Sequence, residues 1–498
     1  MSPQITERST GLTASEAYLA ALCKRSFLSL WSYSNVFRDQ KKNGYGDGKE
    51  ICDVLIVFDK HVILFSDKSC AYPNTGDERL DWRRWFQRAI SKSADQVYGA
   101  ERWLRKYPDR VYLDKSCGRR FPIKFPPASE AKYHRVVVAL NAAARCKSFF
   151  GNSGSGSLVI NPGYVGQALS EQPFHIGQIQ PDKGYVHVFD DVTLDIVLQE
   201  LDTITDFTDY LTRKEQLIIS GKLGSAAGEE ELLAHYVTHL NSAGQHDFVI
   251  PENIDLAIFD EGSWQSISTD PQYVAKKNAD LQSYAWDRLI EVFNRHIAGG
   301  TLEHGSELSF DQLERGVKIM TSEPRLARRN LAKALLDIMG NARPERDSVR
   351  HLLSDQHPDR GYIFLISGRR RNQSYDDYRR NRTALLSAYC HVAKLNTPSL
   401  LDIVGLGLDT PGSNGGSEDL IYLDARSWSE EDTARARELQ EVTGILRSPR
   451  ETHFHEEEYP VEAHRIIPST SQSSVATGNR KQRRAAKAEE RRNKRRLR

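Results

Sequence analysis

The sequence predicts a multidomain α/β protein. Its 498 residues exceed the roughly 100 to 200 residues of one ordinary domain. Short apolar runs typical of buried strands alternate with helical patterns, and a Ser- and Thr-rich segment near residue 466 separates a basic tail from the rest. We expect an α/β core in 1–150, a mixed but mostly helical middle domain in 151–355, a small α/β domain in 356–465, and a disordered linker and tail in 466–498.

The composition is that of a soluble cytoplasmic protein. Hydrophobic residues make up 39% of the chain and charged residues 27%. No segment reaches the roughly 18 to 20 apolar residues of a membrane span, and the N-terminus lacks the pattern of a signal peptide. The six cysteines are scattered without CxxC spacing, so we expect reduced thiols and no zinc finger.

The net charge of +1 hides an asymmetry between the tail and the remainder of the chain. Residues 480–498 hold eleven Lys or Arg and two Glu, a local charge of +9, which leaves about −8 elsewhere. Such a tail, including Arg483 and Arg484, would bind a polyanion through counterion release with strong salt dependence. A solubilising tail is the alternative.

The first 150 residues carry the clearest pattern. Thr13 and Glu16 have capping-box spacing, and apolar residues follow at helical intervals. The later elements expected there are strands at about 52–58 and 61–68, a helix at about 82–106, and a strand at about 134–140. The order helix, strand, strand, helix, strand favours an α/β core.

The remaining chain gives a coarser prediction. The glycine-rich segment 151–156 lacks the P-loop and dinucleotide-binding patterns, so a flexible surface loop is favoured. The expected later elements are a strand in GYVHVFDD, helices within about 193–245, 271–297 and 324–339, a strand at 361–367, a helix at 374–395, two strands in LLDIVGLGL and EDLIYLDA, and a helix at about 429–446.

Polar side chains converge at the open end of the first hairpin. If Asp59 and Lys60 form a two-residue turn, every cross-strand pair of residue numbers sums to 119. Asp53 then lies opposite Ser66, and Lys68 shares their face because side chains alternate along a strand. An ion pair at a strand edge explains this arrangement structurally. A metal-dependent phosphodiester hydrolase, with Lys68 acting on water or phosphate, explains it functionally.

These residues resemble the PD-(D/E)XK nuclease superfamily over about residues 13–107. Glu16 matches the acid of that family's leading helix, Asp53 the first motif acid, and Lys68 the lysine that ends the second motif. Gln96, in the segment QVY of the next helix, matches the glutamine of RecB-type members. The resemblance implies a restriction-endonuclease-like α-β-β-α core and a Mg²⁺ or Mn²⁺ cofactor.

One position departs from that family. Ser66 stands where the resemblance implies a metal-binding acid, and a hydroxyl is a poor Mg²⁺ ligand beside a carboxylate. The second acid would then be Asp67, Glu50 on the loop before the strand, or Glu16, with Asp53 as principal ligand. In the register above Asp67 faces away unless a bulge turns it. Glu16 is alternatively half of the capping box, and Gln96 an interhelical hydrogen-bonding residue.

Two further patterns suggest binding. Arg369, Arg370, Arg371, Arg379 and Arg380 lie beside tyrosines, a combination that suits phosphate backbones, although a solvated face is the alternative. His453, His455 and Glu456 have spacing that suits a metal, but a solvated polar segment is favoured.

The predicted function is therefore cleavage of nucleic acid, DNA or RNA, by a metal-dependent nuclease. The alternative is a catalytically inactive nuclease fold that acts as a nucleic-acid-binding or assembly module. A small nuclease core with large additions suggests prokaryotic defence or repair, by analogy of fold alone. A protein partner or a homo-oligomer is compatible with either prediction.

Overall fold

The chain forms a mixed α/β structure with three mixed sheets. The computed structural model describes residues 11, 13–40, 48–299, 310–412, 417–447 and 456–460. Over these residues no helix has both the length and the apolar character that crossing a membrane requires.

The first sheet has six strands in the order β4-β1-β2-β3-β5-β8. Its strands are β1 Ser32–Arg38, β2 Lys49–Phe58, β3 His61–Ser69, β4 Val111–Tyr112, β5 Lys132–Leu140 and β8 Val186–Phe189. Strands β1 to β3 form an antiparallel meander, whereas β5 runs parallel to β3 and β8 runs parallel to β5. The central residues of β3 and β5 are apolar and buried because both faces of this sheet are covered.

Helices cover the two faces of the first sheet. On one face lies α1 Ala14–Phe27, capped by the expected box of Thr13 and Glu16. On the other lie α2 Glu78–Phe86, a π-helical turn Gln87–Ser91 and α3 Lys92–Lys106, which together form the helix expected at about 82–106. Alternate residues of β3 therefore meet different helices, and Phe65 packs against Phe27 of α1.

The middle region contains a second sheet that the sequence did not predict. Its order is β10-β9-β6-β7, with β6 Val159–Val165, β7 His175–Gln178, β9 Leu223–Ala226 and β10 Ala257–Phe259. Helices dominate otherwise, as expected: α4 Ala143–Phe149, α5 Thr193–Glu200, α6 Ile204–Ile219, α7 Glu229–Thr238, α8 Ser263–Ser268, α9 Pro271–Asp280, α10 Tyr284–Gly299, α11 Phe310–Thr321 and α12 Arg325–Asn341. Strands β7, β9 and β10 have only three or four residues and give little alternation, and β6 contains Pro162 and Gly163, which are unusual in strands.

The third sheet has the order β11-β12-β13-β14. Its elements are β11 Ser348–Leu353, β12 Arg360–Ser367, α13 Tyr375–Asn396, β13 Asp402–Asp409, β14 Glu418–Asp424 and α14 Glu430–Thr443. Strands β12 and β13 are parallel, and α13 connects them. This agrees with the expected small C-terminal α/β unit, with β11 as an additional edge strand.

The expected boundaries do not coincide with the sheets. Strand β8 belongs to the first sheet although it lies beyond residue 150, and β11 belongs to the third sheet although it precedes residue 356. One contiguous hydrophobic core also extends from α1 into β12 and β13, where Trp286 of α10 packs against Tyr362 and Phe364. The expected domain boundaries were placed at changes in sequence composition. The sheets do not follow these boundaries, because strands from the neighbouring segment of the chain complete them.

Candidate functional site

The hairpin of β2 and β3 has the expected register. Its five paired positions run from Phe58 opposite His61 to Val54 opposite Phe65, and each pair sums to 119. The pairing ends there, so Asp53 and Ser66 are the first residues beyond the regular ladder. The register prediction is confirmed up to the point where the two strands begin to separate.

Asp53 and Lys68 meet at this separation. The Lys68 ammonium lies 3.9 Å from Asp53 Oδ2, and the same oxygen accepts a hydrogen bond of 2.6 Å from the backbone N–H of Asp67. Asp53 is 2% exposed, whereas the Lys68 side chain is 36% exposed. A buried carboxylate is thus held by the backbone of the neighbouring strand while the ammonium reaches solvent.

Ser66 and Asp67 point to opposite sides of β3, as expected from the alternation of a strand. The Ser66 hydroxyl donates a hydrogen bond of 3.1 Å to Gln96 Oε1 on α3. Asp67 instead lies beside Ser15 at the start of α1. Ser66 and Gln96 therefore form a hydrogen-bonded pair on the α3 side of the sheet. Gln96 has the hydrogen-bonding role that was considered for it, but its partner lies on a strand and not on another helix.

The carboxylate of Asp67 is the least satisfied polar group at this end of the sheet. Asp67 is 3% exposed, and neither of its side-chain oxygens accepts a hydrogen bond in good geometry from the described residues. Its pKa is raised by burial, with the Ser15 hydroxyl opposing and the charges of Asp53 and Glu16 adding to the increase. Burial of a carboxylate without an opposite charge is costly, so the ionised form of Asp67 is destabilised here.

Glu50 and Glu16 complete the acidic environment. Glu50 lies within β2 rather than on a preceding loop, which corrects the expected position, and its carboxylate accepts a hydrogen bond of 2.7 Å from Asn35 Nδ2. Asn35 has a φ of 48°, next to the irregularity in the pairing of β1 with β2. Glu16 caps α1 through Thr13 and is half-buried. It was the strand β1, not predicted from the sequence, that brought Asn35 here.

Burial and mutual repulsion act on these acids together. Burial is the largest cause that raises the pKa of Asp53, and the Lys68 charge opposes it. Burial also raises the pKa of Glu50, with Asn35 opposing and the charges of Asp53 and Glu16 adding to the increase. Four acids and only one lysine thus share this region. It has an excess of negative charge, and a divalent cation would lower its electrostatic free energy.

The donor set fits Mg²⁺ in chemistry but is not a converged cage. Hard cations prefer carboxylate oxygens, and the unpartnered oxygens of Asp67 are available for one. Among the described residues, however, no three of the predicted acids place one oxygen each within 4.8 Å of one another. Asp53 and Asp67 are the two acids joined by a direct contact.

A cleft of about 1070 Å³ begins just after β3. Its walls include Tyr72 and Pro73 from the segment that follows the strand, and Arg83, Arg84 and Arg88 from α2 and the π-helical turn. Arg83 is paired with Glu171, whereas Arg84 is exposed and forms no ion pair with a described residue. The cleft therefore presents cationic side chains beside the segment that follows β3, a feature that the sequence analysis missed although the pattern RRWFQR carries it.

The expected basic face on α13 needs correction. Arg379 is 9% exposed and binds Asp419 of β14 with its guanidinium, because the helical period turns this residue towards the sheet. Arg369, Arg370, Arg371 and Arg380 are exposed, and Arg380 pairs with Asp377. The exposed arginines thus lie on the loop before α13 and at its surface, while Arg379 belongs to the interior.

The remaining predicted sites fall into two groups. In the glycine-rich loop the backbone N–H of Ser155 donates to Glu261, so the loop is bound to the second sheet region. Glu456 forms ion pairs with Lys333 and Arg329, while His453 and His455 lie outside the described residues, as do Arg483 and Arg484 of the tail.

Comparison with known proteins gives no relative for this arrangement. No protein-family model, no curated protein and no solved structure matches the chain.

Proposed function

We propose that this protein is a divalent-metal-dependent nuclease whose site lies where β2 and β3 separate. The observation that carries the proposal is the buried Asp67 carboxylate, which forms no ion pair with a described residue and lies beside the Asp53–Lys68 pair. The order α1, three antiparallel strands, helix and parallel strand supports it, since it is compatible with the resemblance to PD-(D/E)XK nucleases. Mg²⁺ or Mn²⁺ would neutralise the acids and act as a Lewis acid on a phosphate oxygen.

Each side chain has a defined part in this proposal. Asp53 would be the principal ligand of the cation, and Asp67, Glu50 or Glu16 would add a ligand directly or through water. Lys68, with its ammonium exposed to solvent, would orient the attacking water and stabilise negative charge on the phosphate. Gln96 accepts the hydrogen bond of the Ser66 hydroxyl and so fixes that hydroxyl beside Asp53.

The cleft beside the site suits a phosphate backbone. Arg84 and Arg88 lie on the same helical segment that continues to Gln96, so an extended strand along this wall would pass from the arginines towards Lys68. Arginine pairs with phosphate in bidentate geometry, and such contacts position a nucleic acid without reading its sequence. The substrate class supported is therefore nucleic acid, either DNA or RNA.

A second candidate function rests on the dispersed acids. Because no three of their oxygens converge within 4.8 Å in the described part of the chain, the fold also suits a nucleic-acid-binding or assembly module without catalysis. In that case the exposed arginines of the cleft and of the segment before α13 would carry the function.

Cleavage assays distinguish the two functions. Purified full-length protein is incubated with plasmid DNA, linear duplex DNA, single-stranded DNA and RNA, each with Mg²⁺, Mn²⁺ or EDTA. Nuclease action predicts metal-dependent cleavage that falls by about 100-fold or more in Asp53→Asn and in Lys68→Ala, the range typical for loss of one transition-state contact. Asp377→Asn, an exposed acid distant in sequence, is the matched control and should retain full activity.

Two results would overturn the nuclease proposal. Cleavage that persists in both Asp53→Asn and Lys68→Ala would assign the activity elsewhere. Salt-dependent binding without cleavage by the wild-type protein, under any metal, would support the noncatalytic module instead.

A further inference from the structure

A second group of metal-ligating side chains lies at the other end of the first sheet. His134 of β5, His187 of β8 and Glu215 of α6 each place one ligand atom within 4.8 Å of the others. Strand pairing sets Val136 opposite His187, so His134, two residues earlier, lies on the same face of the sheet as His187. Helix α6 supplies Glu215 from above that face.

Both histidine rings are buried, and each has a hydrogen-bond partner at only one of its two nitrogens. His134 Nε2 lies 2.9 Å from Nδ1 of His61, and His187 Nε2 lies 3.0 Å from Glu215 Oε1. The Nδ1 atom of each ring is buried, and no described residue provides a hydrogen-bond partner for it. Each such orphaned group costs about 1 to 3 kcal/mol, so two of them in one cluster need an explanation.

A third histidine lies beside the cluster, on β3. His61, bonded to the second nitrogen of His134, is placed like the outer partner that usually orients a metal-bound histidine.

The cations around the cluster are already paired. Lys214 and Arg135 are the basic groups that act on His187, and they are bound to Glu229 and Glu101, respectively. Glu215 is the remaining carboxylate at the cluster, and its side chain is 26% exposed. A divalent cation would thus meet one free negative charge and two nitrogen donors, with access from the Glu215 side.

We propose that His134, His187 and Glu215 form a binding site for Zn²⁺ or a similar divalent transition metal. Two imidazoles and one carboxylate are ligands typical of zinc, with a fourth position left for water. The site is separate from the strand-end acids: His61 and Lys68 are seven residues apart on β3, or about 23 Å at 3.3 Å per residue. Metal here would link β5, β8 and α6 and stabilise the edge of the first sheet.

Zinc retention by the full-length chain tests the proposal. Protein is stripped with EDTA, mixed with one equivalent of ZnCl₂, desalted and analysed by mass spectrometry of the metal, and affinity is measured by competition with a chromophoric chelator. The expected result is one Zn²⁺ per chain, with affinity reduced at least 10-fold in Glu215→Gln and in His134→Asn. Asp53→Asn should retain the ion, which separates this site from the proposed nuclease centre.

The control is His391→Asn, because His391 lies in α13, outside the cluster, and bonds a backbone carbonyl of its own helix. The zinc affinity of the His391→Asn variant should equal that of the wild-type protein. Circular dichroism verifies that each variant folds. If His134→Asn does not fold, the zinc affinity of Glu215→Gln decides whether the proposal holds. Failure to retain zinc, or retention with unchanged affinity in Glu215→Gln, would overturn the proposal. Neither result bears on Mg²⁺-dependent cleavage.

Discussion

Two sheet ends in this molecule carry acids and basic residues, and they differ in how those charges are matched. In the third sheet, Asp419 of β14 is bound by both Arg379 and Arg382, and Asp409 of β13 is bound by Arg382 and by the hydroxyl of Tyr378. At the end of β2 and β3 in the first sheet, one partly exposed lysine faces Asp53, and Asp67 forms no ion pair with a described residue.

The difference separates a structural network from a candidate site. Buried charges that are fully paired and hydrogen-bonded hold two elements together and leave no group free for a ligand. Excess buried carboxylates are instead destabilising on their own and acquire a partner when a cation binds. How the charges are matched with partners is therefore the observation that distinguishes the two regions.

The largest expected effect comes from breaking the paired network. Asp419→Ala leaves Arg379 without its carboxylate and removes one of the two carboxylates that bind the buried Arg382, and such a loss costs about 3 to 5 kcal/mol. Urea unfolding of the variant and the wild-type protein measures the difference. A cost below 1 kcal/mol would show that the network is not the structural element inferred from its geometry.

Addition of metal should stabilise the first region alone. At a free Mg²⁺ concentration 100 times Kd, the gain is about 2.7 kcal/mol for binding to the folded state only. We expect this gain in the wild-type protein and in Asp377→Asn but not in Asp53→Asn, as measured by unfolding with Mg²⁺ and with EDTA. Equal stabilisation of all three proteins would remove the strand-end acids as the binding site.

Asp67→Asn should stabilise the metal-free protein. Burial raises the pKa of Asp67, so its folded form binds a proton more tightly than the unfolded form, and stability is lost as pH rises through the raised pKa. The neutral amide avoids that loss, and we expect a gain of about 1 to 3 kcal/mol at pH 8 that shrinks towards pH 4. Unfolding curves at both pH values in EDTA measure it, and a loss at pH 8 would contradict the unpaired state of Asp67.

The smallest effect is expected at the surface of α13. Arg380 and Asp377 form an exposed pair three residues apart on one helix, where solvent screens the attraction. Arg380→Ala should therefore shift the thermal midpoint by no more than about 1 °C. A larger decrease, measured by differential scanning calorimetry, would show that exposed and buried arginines of this helix act as one network.

Much of the site's arrangement along the chain was predictable. The capping box, the hairpin turn and its register follow from local spacing, and these placed Asp53, Ser66 and Lys68 together. Strand β1 was not predicted, so the contact of Asn35 with Glu50 was not either. The histidine cluster had a weak signal, one histidine in each of two expected strands, but only the parallel pairing of β5 and β8 brings them together.

By itself, the sequence determined the local elements, the face on which each strand residue lies, and the segregation of basic charge into the tail. Those properties depend on spacing and composition, which act between near neighbours in the chain. The tertiary structure alone decided that Arg379 is buried against Asp419 and that Asp67 has no ion-pair partner among the described residues. It also decided that the first sheet is completed beyond residue 150. Whether a charge is paired depends on groups contributed by distant segments, and their arrangement is fixed only when the sheets and helices pack.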